Sequence, residues 1–237
     1  MNKIEFIKQI LPPFLLSGLI KIRGLKKRYY GLNQLDRKLE KYINYDNGFF
    51  IELGANDGKT QSNTLYFETY RNWTGILIEP TPHNFLKCII NRKSTTHKFC
   101  NACVSFGYED KYVEIIYSNL MSTPVGLESD ISNPIAHAQK GSQFLSKNEV
   151  SFKFGAISRT LNSILVEANS PNQIDLLSLD VEGAELEVLK GIDFKSYSIK
   201  YICVESRSIN IIDGFLSKHS YKLIDQLSEH DYLFKLL

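Results

Sequence analysis

Six carboxylates, Glu52, Asp57, Glu79, Asp180, Glu182 and Glu205, stand at or just past the ends of short apolar runs. The first two flank a tight glycine turn in "IELGANDGKT", Ile51 to Thr60. A glycine turn after a strand ordinarily receives phosphate, through backbone N–H groups and a helix dipole. This one lacks the third glycine of a dinucleotide fingerprint and the Gly-Lys-Ser/Thr of a P-loop. Its two carboxylates would also repel a pyrophosphate. The chemistry it suits is a cofactor with no phosphate and a positive charge. Gly54 permits close backbone approach, Asp57 or Glu52 faces the cation, and Glu79 suits a ribose. Glu79 lies about 20-odd residues past the loop at the end of the next apolar run, where a nucleoside-binding acid is expected. S-Adenosylmethionine (SAM), with its sulfonium, ammonium, carboxylate and adenosine, has these properties.

These acids converge only if the elements that carry them form one sheet. "GFFIEL" (48–53), "TGILIE" (74–79), "IDLLSLD" (174–180) and "YICVE" (201–205) are short apolar runs of the kind that make strands buried on both faces. Helical patterns alternate with them: after Ser62 through "NTLYFETYR", from Pro82 to Arg92, near Leu161–Ala168, over 184–192 and near Asn210–His219. The runs 98–105 and 112–118 read as further strands, whereas 119–150 is rich in Ser, Asn, Gly and Pro and has no period. "YKLID" (221–225) and "DYLFKL" (231–236) are close enough to form an antiparallel hairpin. Alternation of this kind predicts an α/β fold: a mostly parallel sheet with helices on both faces. Ligands of such sheets bind outside the carboxyl ends of the strands, near the reversal of strand order. The acids would then form one anionic rim.

Composition narrows the classes. The 237 residues are 43% hydrophobic with a net charge of +2, which argues against a disordered chain and against a dedicated nucleic-acid binder. The charge is uneven: residues 1–41 carry +7 and the remainder −5. Residues 1–44 therefore read as a basic helical arm ahead of a domain over 45–237. The apolar stretch Ile10–Ile22 is broken by Pro12, Pro13, Ser17 and Gly18, too short to span a bilayer. Its basic residues follow the apolar run, opposite to a signal peptide. The expectation is a cytoplasmic protein, with peripheral membrane contact through the arm as a second reading. Cys88, Cys100, Cys103 and Cys203 do not form a disulfide or zinc pattern, because Cys100-x-x-Cys103 has no second close pair.

Four segments in order, "FIELGANDGKTQSNT", "GILIEPTPHNF", "NACVSF" and "LLSLDVEGAELEVLKGIDF", resemble the FkbM family of SAM-dependent methyltransferases over about residues 47–206. The resemblance implies a class I methyltransferase (Rossmann-like) fold, with a seven-stranded sheet whose C-terminal strand is antiparallel. It also implies O-methylation of a sugar or polyketide hydroxyl. Carried over by position, the cofactor site is Glu52, Gly54, Asn56, Asp57, Glu79, Asn101 and Ala102. Asp180 and Glu182 of "DVEGAE" would face the methyl-transfer region. The arm and the 119–150 stretch fall outside the match and are expected to choose and cover the substrate.

Methyl transfer to a hydroxyl is an in-line displacement that needs alignment and a base for the hydroxyl proton. Asp180, ending a buried strand, is the first candidate base and His137, in the 119–150 segment, the second. Glu182 is either catalytic or a cap for the helix that starts near Ala184. Asp180 and Glu205 end consecutive parallel strands, so a Mg²⁺ between them is a minority reading. The expected substrate is a nucleotide-linked sugar for a bacterial surface polysaccharide, its diphosphate held by Lys21 to Arg28 or by Arg207. Tyr29, Tyr30 and Tyr42 would stack on a base or sugar, or simply pack. Rival readings are a peptide or amide nitrogen acceptor and a non-catalytic nucleoside-binding module; the oligomeric state, a homo-oligomer included, is left open.

Overall fold

Alternate side chains of the central strands enter two different apolar layers, and helices cover both. The computed structural model describes residues 29–237. Its elements run α1 (Leu35–Glu40), β1 (Phe49–Leu53), α2 (Leu65–Tyr70), β2 (Thr74–Ile78), α3 (Pro82–Asn91), β3 (His97–Phe99), β4 (Ala102–Val104), β5 (Tyr112–Tyr117) and β6 (Thr123–Val125). There follow α4 (Pro134–Lys140), β7 (Phe152–Thr160), α5 (Leu161–Glu167), β8 (Gln173–Leu179), α6 (Glu185–Leu189), β9 (Ser198–Glu205), α7 (Ile209–Leu216), β10 (Tyr221–Gln226) and β11 (Asp231–Leu236). Ile51, Leu53, Ile76, Ile78, Leu177 and Leu179 join Leu161, Ile164, Val188, Leu189, Ile212 and Leu216 of α5, α6 and α7 in one layer. Phe50, Leu77, Leu176 and Cys203 join Leu35, Leu39, Tyr66, Phe67 and Cys88 of α1, α2 and α3 in the other.

The main sheet has seven strands in the order β10-β11-β9-β8-β1-β2-β3. From β9 to β3 all neighbours are parallel, and β11 runs antiparallel to both β9 and β10. The predicted mostly parallel sheet with a terminal hairpin is thus what forms. Strand order reverses between β1 and β8, which places the ligand crevice of such folds at their carboxyl ends.

Two sequence expectations change. The run 98–105 is not one strand: it breaks at Cys100–Asn101, β3 staying in the main sheet and β4 entering a second, four-stranded sheet of order β4-β7-β5-β6. The 119–150 stretch is also more ordered than its composition implies, holding β6 and α4, and β7 follows it. Pro134 at the first turn of α4 and Asn133, whose side chain accepts from Ala136 N, start that helix by ordinary capping. The alternation of β7 is masked by its mixed exposure.

Lys21 to Arg28 and the apolar stretch Ile10–Ile22 lie outside the described residues. Among the described residues no helix is long and apolar enough to cross a membrane. Tyr29 packs on Tyr66 at 4.8 Å between ring centroids and its hydroxyl donates to Glu40 at 2.8 Å. Tyr42 donates to Asp225 at 2.7 Å. These two tyrosines pack within the protein, so they are not ligand-stacking platforms.

The junction of β1 and β8 carries a strict requirement. Gly54 has φ +75°, and a Cβ there would lie 1.7 Å from the Asp180 carbonyl oxygen. The glycine that reads as a ligand-approach position is needed first for packing one strand end on another. Gly54→Ala should lose about 3 kcal/mol or more of stability, from the left-handed backbone and the backbone clash together, measured by chemical denaturation.

Candidate active site

A cavity of ≈ 310 Å³ opens at the carboxyl ends of β1, β2, β8 and β9. Glu52, Gly54, Asn56, Glu79, Asn101, Ala102, Asp180, Glu182 and Glu205 all line it, from segments up to 153 residues apart in sequence (Glu52 to Glu205). Leu32 and several residues of 119–144, among them Met121 and Phe144, complete the wall.

The glycine loop is held from beneath by a buried ion-pair network. Arg92 donates through Nε to Glu68 at 2.9 Å and through one terminal nitrogen to Glu52 at 3.1 Å, while the other reaches Thr64 at 2.9 Å. Glu52 also accepts from Ser62 Oγ at 2.9 Å, Thr64 Oγ1 at 2.6 Å and Asn63 N at 2.8 Å. Ser62 Oγ in turn accepts from Leu65 N at 3.1 Å, opening α2 as expected. Glu52 therefore lines the cavity, but its charge is spent on Arg92 and on the 62–64 turn, which revises its expected role facing a cationic ligand.

Asp57 is the clearer correction. It does not line the cavity; its carboxylate accepts from Lys59 N at 2.8 Å, Thr60 N at 2.6 Å and Thr60 Oγ1 at 2.8 Å. Burial pushes this carboxyl up, but the Thr60 and Lys59 donors outweigh it and hold it below its ordinary range. Asp57 shapes the turn. Asn56, in a left-handed conformation at φ +48°, directs its N–H to Glu79 Oε2 at 2.8 Å. Glu79 also accepts from Thr81 N at 2.9 Å, so it links the glycine loop to the end of β2. Burial raises its pKa to about 7 in spite of those donors.

On the other side of the crevice, Asp180 and Glu205 stand at the ends of the adjacent parallel strands β8 and β9. Burial, then Glu205 and Glu182, push Asp180 well above the carboxylate range. Burial also raises Glu205, with Asp180 and Arg207 working in the opposite sense. Arg207 NH2 sits 3.4 Å from Glu205 Oε1 and from Glu182 Oε2, and its NH1 3.9 Å from Asp130 Oδ1. Its guanidinium is thus engaged by carboxylates, contrary to its expected availability for a diphosphate. A cation position between Asp180 and Glu205 finds no support either, since Arg207 NH2 at 3.4 Å from Glu205 Oε1 already supplies a positive charge there. Among the described residues no three His, Cys, Asp or Glu group in a metal-holding arrangement.

His137 does not line the cavity. Its Nε2 meets Glu182 Oε2 at 2.7 Å, so it stands one residue behind the wall. Glu182 does not cap α6. That tie is made by Glu185, a residue that the sequence reading passed over although it ends "DVEGAE". Glu185 Oε1 accepts from Val181 N at 3.0 Å and Gly183 N at 3.1 Å, fixing a loop in which Glu182 has φ +54° and Gly183 φ +103°. Burial raises Glu185 to about 8. Asp130 was missed too: its carboxylate accepts from Arg207 N at 2.6 Å and Ser206 Oγ at 3.1 Å, and its N–H donates to Gly183 O at 3.1 Å. No periodicity marks a lone Asp in a polar loop, so only the folded chain reveals it. Asn63 is a third; its Oδ1 is buried on the cavity wall with no partner.

With this geometry in place, comparison with known proteins decides the family. The FkbM methyltransferase domain matches residues 52–234. The chain belongs to the FkbM methyltransferase family. The FkbM domain so defined spans every cavity-lining residue except Leu32. No curated protein sequence matches the chain. Among solved structures, a fibrillarin/Nop5p complex is similar at 12% identity over 79% of this chain and 71% of that one, with a TM-score of 0.36. The sheet of this FkbM domain has the class I methyltransferase order, with its antiparallel strand between β9 and β10.

Two outcomes follow. Arg92→Met strands Glu52 and Glu68 in the interior, and denaturation should show a loss of about 3–5 kcal/mol. Glu79 binds its proton more tightly folded than unfolded, so its contribution to stability is largest below about pH 4.5 and is lost as pH rises towards about 7. That loss is about 3 kcal/mol at 1.36 kcal/mol per pKa unit. In Glu79→Gln the stability difference between pH 4.5 and pH 7.5 should shrink by that order; an unchanged difference means Glu79 titrates normally.

Proposed function

We propose that this protein is a SAM-dependent O-methyltransferase acting on a sugar hydroxyl. The observation that carries the cofactor reading is Glu79: a buried carboxylate at the end of β2, anchored by Asn56 N and Thr81 N and open to the cavity. Ribose hydroxyls donate hydrogen bonds, and donors favour the ionised form of a carboxyl that burial otherwise disfavours. The unpaired Asn63 Oδ1 is an acceptor suited to an ammonium group. The cavity wall has a single cation among the described residues, Arg207, already paired, so a phosphate-bearing cofactor has no countercharge there.

When bound, SAM supplies an electrophilic methyl: its S–CH₃ bond breaks, with the pair left on sulfur, as an O–CH₃ bond forms. The hydroxyl proton passes to Glu205. Burial raises the Glu205 pKa, which makes its carboxylate a stronger base than an ordinary one, and Asp180 borders the same space at the end of the adjacent strand. Because both carboxyls are raised, activity needs a pH high enough to leave Glu205 ionised. Arg207 holds Glu205 and Glu182 apart from one another. The polar wall suits sugar hydroxyls, and Met121, Leu120 and Phe144 suit the C–H face of a ring.

S-Adenosylhomocysteine at 100 times its Kd should stabilise the protein by about 2.7 kcal/mol, roughly 5–10 °C in Tm, with no shift from ATP or NAD. Glu205→Gln should keep that stabilisation while turnover of an acceptor drawn from a glycoside panel falls about 10²–10⁴-fold. Absence of stabilisation in the folded protein rejects the cofactor reading; full turnover in Glu205→Gln rejects Glu205 as the base.

A further inference from the structure

The solvent side of α3 is apolar where a surface helix is ordinarily polar. Asn84, Cys88 and Arg92, on the side that faces the sheet, are buried. Leu86, Ile89 and Ile90, spaced i, i+3 and i+4 on the opposite side, are 57%, 49% and 82% exposed. Single exposed apolar residues are normal, but three in one stripe mark a surface that something covers. The helix connects β2 to β3, the end strand of the main sheet, and none of the three residues lines the cavity.

Charge decides what the stripe can meet. From Pro80 to Tyr108 the sequence has four Lys/Arg and no Asp or Glu. Arg92 is spent in the interior. The ammoniums of Lys87, Lys93 and Lys98 rest on neutral oxygens: the Asn84 amide at 3.2 Å, the Glu68 carbonyl at 2.5 Å and the Lys93 carbonyl. Two acids border this face. Asp57, near Lys87, is held by donors of its own turn, and Glu149 lies at the His83 end, away from Lys93 and Lys98. Residues 1–28 add seven Lys/Arg against one Glu, a charge that strengthens attraction to an anionic surface. A second copy related by a two-fold axis would instead bring both sets of lysines into one desolvated interface, where like charges are costly. Acyl chains need no shaped groove to cover a convex helix face, and flanking lysines reach from it to lipid phosphates.

We propose that α3 docks on a bilayer surface rich in anionic lipid. Leu86, Ile89 and Ile90 enter the acyl boundary, and Lys87, Lys93 and Lys98 meet the phosphates. Ten residues at 1.5 Å per residue make a helix of about 15 Å, which lies in the interface and does not cross it. Pro80, two residues ahead of α3, belongs to the cavity wall, so docking brings the crevice beside the bilayer. The inference is independent of the cofactor and acceptor proposed above.

Flotation of the full-length protein with vesicles tests it, using phosphatidylcholine alone and phosphatidylcholine with an equal part of phosphatidylglycerol. Binding to the anionic vesicles should be at least about tenfold tighter than to the neutral ones. The double substitution Leu86→Gln, Ile90→Gln should weaken that binding about tenfold, and Lys87→Gln with Lys93→Gln should lower its salt dependence. All four side chains are at the surface, so an unchanged denaturation midpoint shows that lost binding is not lost folding. Failure to bind anionic vesicles overturns the proposal. Binding that the α3 substitutions leave unchanged also overturns it, since the basic residues before Tyr29 then carry the whole attraction. A dimer in sedimentation that Leu86→Gln, Ile90→Gln dissolves does so as well, because the stripe then belongs to a second copy.

Discussion

The buried guanidinium of Arg92, shared between Glu52 and Glu68, is the interaction on which the cavity depends. Glu52 is on β1, Glu68 on α2, and Arg92 directly follows α3, so one side chain ties a strand to both helices that cover it. The same guanidinium also reaches the Gly58 carbonyl at 3.2 Å, the far end of the glycine loop. Two carboxylates and one Arg are expensive to bury unless every donor is used. Here Nε and both terminal nitrogens are used, and Thr96 adds a donor to Glu68. The loop is consequently held from below, and Gly54, Ala55 and Asn56 line the cavity.

The second arginine behaves differently for a physical reason. Arg92 is fully enclosed and its contacts are 2.9–3.3 Å, whereas Arg207 is partly exposed and its ion pairs are 3.4–3.9 Å. Long contacts at an open wall can be traded for contacts with a ligand at little loss, while short buried ones cannot. One centre holds the fold and the other stands at the open wall of the crevice. Between them, Gly54 lets the two strand ends touch, so that Asp180 and the glycine loop border the same space.

The 119–150 segment enters this arrangement as part of the wall. Asp130 spans the loops after β8 and β9 through Gly183, Ser206 and Arg207; His137 meets Glu182, and Glu128 pairs with Lys190 of the turn after α6. Gly183 has room for no side chain because Ser129 and Ile131 pack on it. The left-handed Glu182–Gly183 pair is thus the point where the segment and the DVEGAE loop fit together.

The seven-stranded α/β sheet was legible in the sequence because its strands are buried on both faces, which leaves continuous apolar runs, and because helices alternate between them. The positions of Gly54, Glu79, Asp180 and Glu205 at one crevice followed from the rule that acids ending parallel strands share an edge. What the chain alone could not decide was where each charge is spent. Glu52 and Asp57 look alike beside the same glycine turn; folding gives one to a distant Arg92 and the other to its own turn. β7 escaped reading because a half-exposed strand in a small second sheet has no clean period, while β4, read as the end of one strand over 98–105, turns into that sheet at Cys100–Asn101. Asp130 and Arg207 acquire each other only through contact between loops 77 residues apart, whereas Glu185 is paired within its own loop, to Val181 N and Gly183 N. Local pattern determines which segments become strands and helices, since backbone periodicity is a property of neighbours along the chain. Charge pairing is a property of neighbours in space, and only the tertiary structure decides it.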